Sequence, residues 1–594
     1  MQNYHRHDSY SNIHTPFKDS AMTYADYAER AVELKQSVLS CVNHGFQGNY
    51  LRCWQEAKKN NLKFVYGVEA YWVADRKAEF EDGIDKKTGE VKYRRDKANA
   101  HIVILAQNYN GILQINEMLS TANEDGFYGV PRVDLELLMK LNPNDVFVTT
   151  ACVAFWGKVN KETQRVNYHY ARWENDNEPI LDLFHRIREH FGDSLMLEVQ
   201  CHNTEWQKEI NSLCLELHYR WGVPLIAGMD SHYIYPHQKE ERKWLREESG
   251  VHMNDEDHEF ADEVYEDYPD EETFKERFRK QGVLTEDEIL EAVDNTNLIL
   301  FFDDIEFDQS RKLPTIYPQL TQEERNQKYL DLVWDAWNKY KKNVPQDRWK
   351  EYEESFVREE VNMVVETNMS DYFLLDHEMV KLGVQKGGMI TPSGRGSSGS
   401  WFTNTLLGMS TLDRFDLPVP LYPARFCTAD RLKTSCPDLD LNLDNPAIFA
   451  EAQEELLGKG HSYPMLAYGT LKYKSAFKLY ARAQDLAADE ANEVSRQIDA
   501  YEKAYANADE DDKDMVVIED FVDPKYMHYV DESAPYRGIV VSKSQAPCAY
   551  MIYNGDIRSE VGIMRVNADG GKKIVYCTVI DGYTAEEFGY VKND

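Results

Sequence analysis

The chain of 594 residues contains no apolar run long enough to cross a bilayer. Its most apolar stretches, such as Asn297-Leu-Ile-Leu-Phe-Phe302, fall far short of the ~18 residues that a spanning helix needs. The start, Met1-Gln-Asn-Tyr-His-Arg-His7, lacks the apolar core of a secretory signal. Cysteine is scarce and scattered, nine in all, which excludes a disulfide framework and reads as a reduced, cytosolic inventory. No internal repeat or low-complexity tract is present. Basic residues are in deficit, 67 Lys and Arg against 103 Asp and Glu, giving a net charge of −36. That total opposes nucleic acid, but binding depends on where the cations sit. Much of the excess acid lies in runs at 254–272 and 509–514 that read as solvated surface. Aromatics are plentiful: 37 Tyr, 24 Phe and 11 Trp exclude disorder throughout the chain. At the usual ~150 residues per domain, the length suggests about four domains.

Residues 1 to about 265 alternate short apolar runs with amphipathic helical patterns. Thr23, with Asp26 in the first turn, predicts a helix through Gln36. Strands are predicted at 38–42, 64–69, 101–105, 146–150, 195–199 and 223–227, an alternation compatible with a barrel of parallel strands. The charged stretch 75–98 reads as a projecting hairpin or loop. From 266 to 385 the pattern is mainly helical. A Gly/Ser loop at 387–400, an acidic strand at 437–443 and a helical segment at 475–530 follow, and short strands fill the remainder.

Three pairs place ligating side chains two residues apart: His5-Arg-His7, Asp230-Ser-His232 and Asp438-Leu-Asp440. In an extended chain such residues face the same way, so both can reach one ion. The first two pairs are accompanied by His44, Glu69, His101 and Cys152, each at or beside the end of a predicted strand. Imidazole, carboxylate and thiolate together suit Zn, Mn or Fe better than a purely oxygen-seeking ion. These residues, with Val42-Asn-His44-Gly and Gly67-Val-Glu69, follow in order the motifs of the PHP (polymerase and histidinol phosphatase) domain, which the region resembles. The resemblance implies a distorted β/α barrel holding up to three ions on nine ligands. Its third ligand would be Asp19, with His14 as the competitor. The implied chemistry is metal-activated water attacking a phosphoester.

Gly394-Arg-Gly-Ser-Ser-Gly-Ser400 precedes a predicted helix at 401–407. Glycines let backbone amides turn toward an anion, the helix start adds positive charge, and Arg395 can pair with phosphate. A plain Gly/Ser linker would look similar. Asp438 and Asp440 on one strand face form a minimal cradle for two Mg²⁺ ions. In this order, behind a PHP-like region, and with Ser370-Asp-Tyr-Phe-Leu-Leu375, Tyr468-Gly-Thr-Leu-Lys472 and Glu587-Phe-Gly-Tyr-Val-Lys592, the chain resembles the C-family of bacterial replicative polymerases, the DNA polymerase III alpha type. The resemblance implies an α/β chain: a PHP domain over 1–270, a mixed α+β nucleotidyltransferase-like palm over 271–478 and 535–594, and an inserted helical thumb over 479–534. It implies Asp438, Asp440 and Asp594 as catalytic ligands of two Mg²⁺, and Gly394, Arg395, Gly396, Ser397, Ser398 and Lys474 as phosphate or nucleotide contacts. Pro535 stands where the family usually has a histidine.

The implied activity is templated DNA synthesis, with 3′–5′ exonuclease activity at the PHP site. The implied partners are primer–template DNA, dNTPs, a sliding clamp and other replisome proteins, in a bacterial or virus-infected bacterial cytoplasm. The third palm carboxylate, Asp594, is the last residue. The expectation is therefore a split or truncated polymerase that needs a second chain supplying the fingers. A PHP hydrolase alone and a non-catalytic assembly fragment are the rival readings.

Overall fold

The computed structural model describes every residue except 16–17, 85–90, 249–259, 392–395, 420, 435 and 594. The chain forms two compact units: Met1–Glu306 with Tyr468–Ser544, and Phe307–Ala467 with Gln545–Asp594.

The first unit is built on a seven-stranded sheet. Its first helix, Tyr24–Glu33, opens with the capping box that Thr23 and Asp26 form, and stops at Leu34, short of Gln36. The strands of the unit's N-terminal part are β1 (Val38–Cys41), β2 (Lys63–Val73), β3 (Glu79–Ile84), β4 (Val91–Arg95), β5 (Ala100–Ala106), β6 (Arg132–Asp134), β7 (Val146–Thr149), β8 (Gly157–Val159), β9 (Val166–Tyr168), β10 (Leu195–Val199) and β11 (Leu225–Ala227). The sheet order is β1-β2-β5-β7-β10-β11, with β6 also on β2. All six strands expected from the sequence are present; β6 was not foreseen.

The strands are not all parallel, which corrects one expectation. β5 runs antiparallel to both β2 and β7, whereas β1/β2, β7/β10 and β10/β11 are parallel. The cause is the connection. A parallel neighbour needs a long crossover, usually a helix. Between β2 and β5 the chain instead makes the exposed β3–β4 hairpin and returns antiparallel. This is the distortion of the β/α half-barrel.

The core beneath the sheet includes Tyr4, Val38, Val65, Val103, Leu105, Met196 and Ile226. The helix Ala488–Asn507, in the segment expected to be a thumb, and the helix Tyr473–Ala483, which straddles the expected start of that segment, belong to this same compact unit around Phe477, Val494, Ile498 and Val530. The compact units therefore divide the chain at places other than 270, 478 and 534.

In the second unit the helices Gln322–Tyr340, Trp349–Phe356, Ser370–Gln385 and Pro446–Leu457 surround a core rich in rings, among them Trp337, Tyr352, Phe356, Phe373, Trp401 and Phe402. Fully burying each such side chain is worth about 1.5–3 kcal/mol. Strands β12 (Ser462–Thr470) and β13 (Val540–Ile552) carry the chain between units; β14 (Ile563–Ala568) pairs with β15 (Lys573–Thr578), and β13 pairs with β16 (Val591–Asn593). The acidic strand expected at 437–443 is not a strand. That segment is extended but makes no ladder, apart from a bridge from Leu443 to Ile390. Its period-two burial survives: Leu439 and Leu441 are buried, and Asp438 and Asp440 are partly exposed. Among the described residues, no helix is long and apolar enough to cross a membrane.

Candidate metal centre and palm carboxylates

The N-terminal segment is held beside residues 230–232 by short ladder-like bonds, His7 N to Ser231 O at 2.8 Å and Ser231 N to His5 O at 3.3 Å. Alternation then sorts the side chains. His5 and His7 face Asp230, with Nε2 atoms 3.3 and 3.1 Å from its Oδ1. Arg6 points the other way, its guanidinium 4.5 Å from the Tyr27 ring centre. Glu69, within β2, lies 2.6 Å from His44 Nδ1 and 3.0 Å from His101 Nδ1, and 3.5 Å from both His5 and His7. Cys152, just beyond β7, places Sγ 3.6 Å from His101 Nδ1. Asp19 Oδ2 is 2.9 Å from His44 Nε2 and 3.0 Å from His232 Nε2. All nine side chains expected as ligands are thus brought together. His14 is buried elsewhere, with Nε2 3.4 Å from Lys543 Nζ.

Three subsets have donor atoms close enough to share one ion: His7/His44/His232, His5/His7/Asp230 and His44/Glu69/His101. Glu69 Oε2, Asp230 Oδ1 and His44 Nδ1 are buried without a well-aligned hydrogen bond. Such atoms are costly unless something binds them, so the donor set fits a metal. Two ligand turns carry backbone that side chains rarely adopt: Asp230 has φ +47° and Ala151, preceding Cys152, has φ +47°. Strain of this kind persists only where its surroundings over-determine it.

Electrostatics point the same way. Burial drives the His7 imidazolium toward neutrality, and His44 and His232 beside it add to this, bringing its pKa to about 3. Burial alone would raise the Glu69 carboxyl, but His101 and His44 hold it well below the carboxylate range. Burial likewise opposes the charge on Asp19, but His232, Arg242 and Arg246 keep it ionised.

Sequence reasoning missed the supports of this cluster. Glu198 on β10 accepts from Tyr4 Oη at 2.8 Å and Thr149 Oγ1 at 2.7 Å, and lies 2.7 Å from His5 Nδ1. A Cβ on Gly228 would fall 1.9 Å from the Glu198 carboxylate, so only glycine fits there. The available signal was a lone acid in the apolar strand Leu195–Val199. Arg242 and Arg246 bind Asp19 Oδ1 at 2.8 and 2.6 Å from one helix face, leaving Oδ2 to the histidines. A cleft of about 460 Å³ opens over the cluster, with Tyr71, Lys158 and Trp206 on its walls.

In the second unit the Gly396 backbone (φ +63°) lies against Asp440; a Cβ there would sit 1.7 Å from Oδ2. Ser398 Oγ reaches Asp440 O at 3.4 Å, and Ser397 starts the tight turn Ser398–Ser400. The Asp438 side chain is 47% exposed and lies 3.3 Å from Lys592 Nζ. Tyr372 Oη fixes the segment by donating to Pro437 O at 2.7 Å. The helix after the loop is short, Phe402–Leu406, and its first amides are already taken. Phe402 N and Thr403 N donate to the buried Glu360 carboxylate at 3.0 and 2.8 Å, and Arg414 balances the charge. The anion at that helix start is therefore Glu360, so this helix end is not available to phosphate.

Lys474 belongs to the other compact unit and pairs with Asp499 at 2.6 Å. Gly394, Arg395 and Asp594 lie outside the described residues. The residue before Asp594 is well anchored: Asn593 Nδ2 donates to Asp376 at 2.8 Å and to Gln453 at 2.7 Å.

Comparison with known proteins bears on both units. Residues 4–202 match the PHP domain, and residues 328–594 match the bacterial DNA polymerase III alpha NTPase domain. DNA polymerase III subunit alpha of Aquifex aeolicus (strain VF5) is 24% identical over 510 residues, covering 82% of this chain and 40% of the relative. That of Chlamydia pneumoniae is 24% identical over 558 residues (86% and 42%), and that of Borreliella burgdorferi is 25% identical over 508 (83% and 40%). The chain thus spans about two fifths of the length of these relatives. PHP and polymerase domains are metal-dependent in general. The chain thus carries, in order, a region that matches the PHP domain and a region that matches the bacterial DNA polymerase III alpha NTPase domain, and most of its length is similar to DNA polymerase III alpha subunits.

Proposed function

We propose that this chain is the PHP, palm and thumb portion of a replicative DNA polymerase that joins dNTPs to a primer 3′-hydroxyl once a further polypeptide supplies the fingers. The observation that carries the reading is the seating of the Asp440 carboxylate against the Gly396–Ser397 turn, with Asp438 two residues before it. Two Mg²⁺ ions, when bound there, supply activation of the 3′-hydroxyl and neutralise charge on the phosphates. The protein's share is positional. Buried Leu439 and Leu441 keep both acids on the open side, and Gly396 lets backbone approach them. Lys592 offsets the charge of Asp438 until cations arrive. Asn593 anchors the strand end next to Asp594, the third ligand by family resemblance. The corresponding partners are primer–template DNA, dNTPs and a replisome with a sliding clamp, in bacterial cytoplasm.

A second activity is favoured by the convergence of His5, His7, Asp19, His44, Glu69, His101, Cys152, Asp230 and His232. We infer that the PHP cleft removes 3′-terminal nucleotides from DNA. Zn²⁺, Mn²⁺ or Fe²⁺ ions there, up to three, would supply an activated water and a Lewis acid. Neutral His7 offers a lone pair, Arg242 and Arg246 orient Asp19, and the cleft wall contributes Lys158 toward the phosphate.

The test is a double variant, His5→Ala/His7→Ala. Hydrolysis of single-stranded DNA should fall by at least about 100-fold, while primer extension by the chain completed with its partner polypeptide stays within about twofold. Full hydrolysis by the double variant would remove the exonuclease. Absence of extension with every candidate partner would leave an assembly fragment.

A further inference from the structure

Beside the metal cleft lies a second, open groove of about 460 Å³. The hairpin β3–β4 forms one wall, on which Phe80 and Arg94 stand directly opposite each other and share a face. The hairpin β8–β9 forms the other, with Lys158 and Asn167 likewise paired. Lys97 and Ala98 lie between. Ala98 and Lys158 line the metal cleft too, so the groove runs into the wall that carries His101 and Cys152.

We propose that this groove binds the single-stranded DNA leading to a 3′ end held in the metal cleft. Its composition is unusual for a chain of net charge −36: three cations, Arg94, Lys97 and Lys158, against one acid, Asp96. The Asp96 carboxylate is occupied by the Tyr170 hydroxyl at 2.7 Å and the Ala98 amide at 2.8 Å. Phe80 is 46% exposed, and the Arg94 guanidinium lies 5.6 Å from its ring centre. A half-exposed ring on an edge hairpin forgoes burial. Together with a guanidinium and neighbouring lysines it forms the pairing of stacking face and backbone charge that single strands use. A duplex keeps its bases stacked inside and cannot present them to Phe80. The Arg94 side chain also lies 3.4 Å from Asp82 Oδ1, an exposed contact that phosphate can displace.

The proposal rests on the cleft being a DNA-cleaving site, so its test separates the two. The full chain is assayed with a thymidine p-nitrophenyl phosphodiester, which fills only the cleft, and with an oligothymidylate of about 12 nucleotides. Arg94→Glu and Phe80→Ala should each raise the KM for the oligonucleotide about tenfold and leave turnover of the small diester unchanged. Unchanged KM values in both variants would overturn the groove while the cleft reading stands. If the unaltered chain cleaves neither substrate, the cleft reading fails, and the groove is judged by photocrosslinking to bromodeoxyuridine oligonucleotides. Adducts within residues 79–84, 91–98 or 157–170 support it, and adducts confined elsewhere overturn it.

Discussion

The two candidate sites handle charge in opposite ways. In the first unit every acid is already surrounded: Glu69 by four imidazoles, Asp19 by two imidazoles and two guanidiniums, Asp230 by His5 and His7. All three are buried, Glu69 within β2 and Asp19 and Asp230 in loops. In the second unit Asp438 and Asp440 sit on an extended segment without a ladder, partly open to solvent, and Lys592 is the cation beside Asp438. A buried, pre-paired cluster loses little on ordering its ligands and should retain ions through purification. An open acid pair fits Mg²⁺, which keeps several waters and relies on substrate phosphates to complete its shell.

The largest effect that would break this contrast is at Glu69. Glu69→Gln removes the one carboxylate that touches His5, His7, His44 and His101 together, and leaves those imidazoles facing a neutral amide. Metal retained after gel filtration, counted by plasma mass spectrometry, should fall by more than about tenfold, at least the loss an outer partner causes. Retention equal to that of the unaltered protein would mean that the cluster is an ion-pair network and not a metal centre.

The contrast also explains what the sequence made legible. The candidate PHP set could be read because its imidazoles and thiol are sparse residue types, several of them beside predicted strand ends, and because His-x-His and Asp-x-His declare their common face wherever the chain is extended. Glu198, Arg242 and Arg246 could not be read so easily. An acid in a strand and two arginines one helical turn apart acquire meaning only when the fold brings them to His5 and Asp19. In the second unit the Asp-x-Asp pair was visible, but its neighbours misled. Gly and Ser before a helix suggested a phosphate cradle at the helix start, where tertiary packing instead seats Glu360, 42 residues upstream of Phe402. The hairpin within 75–98 was legible, but the antiparallel course of β5 was not, because the direction in which a strand leaves such an insertion is set by its tertiary pairing with β2 and not by local sequence.

A smaller effect is expected at Gly396. Gly396→Ala puts a side chain at φ +63°, at a cost of about 1–2 kcal/mol. It also forces the Asp440 carboxylate off the turn, since the new Cβ would overlap Oδ2. Urea unfolding followed by hydrogen exchange should show the loss within 307–467 and 545–594. Titration with Mn²⁺, monitored by its electron paramagnetic resonance, should show weaker binding there while metal retained by the PHP cluster is unchanged. Unaltered Mn²⁺ binding would detach Gly396 from the carboxylate pair.

The finest test uses pH, because the two units should respond with opposite sign. In the second unit burial pushes the Asp376 carboxyl up to about 7, only partly countered by the hydrogen bond from Asn593. Unfolded, it titrates near its ordinary value of about 3.9. Between those values the folded state holds a proton that the unfolded state releases. Its contribution is therefore full below pH ~4 and is lost as pH rises to ~7, by at most about 1.4 kcal/mol per pH unit. In the first unit Glu69 and Asp19 are held below the carboxylate range, so in the metal-stripped protein their contribution is present above pH ~4 and lost on acidification. Hydrogen exchange of the stripped chain from pH 7 to pH 4 should thus show protection rising in 307–467 and 545–594. Protection of β2, β5 and β10 should then fall below pH 4. Asp376→Asn keeps an acceptor for Asn593 but cannot titrate, so it should flatten the first trend and leave the second intact. If that variant retains the slope between pH 4 and 7, another group carries the proton, and the opposition between the units does not originate at Asp376.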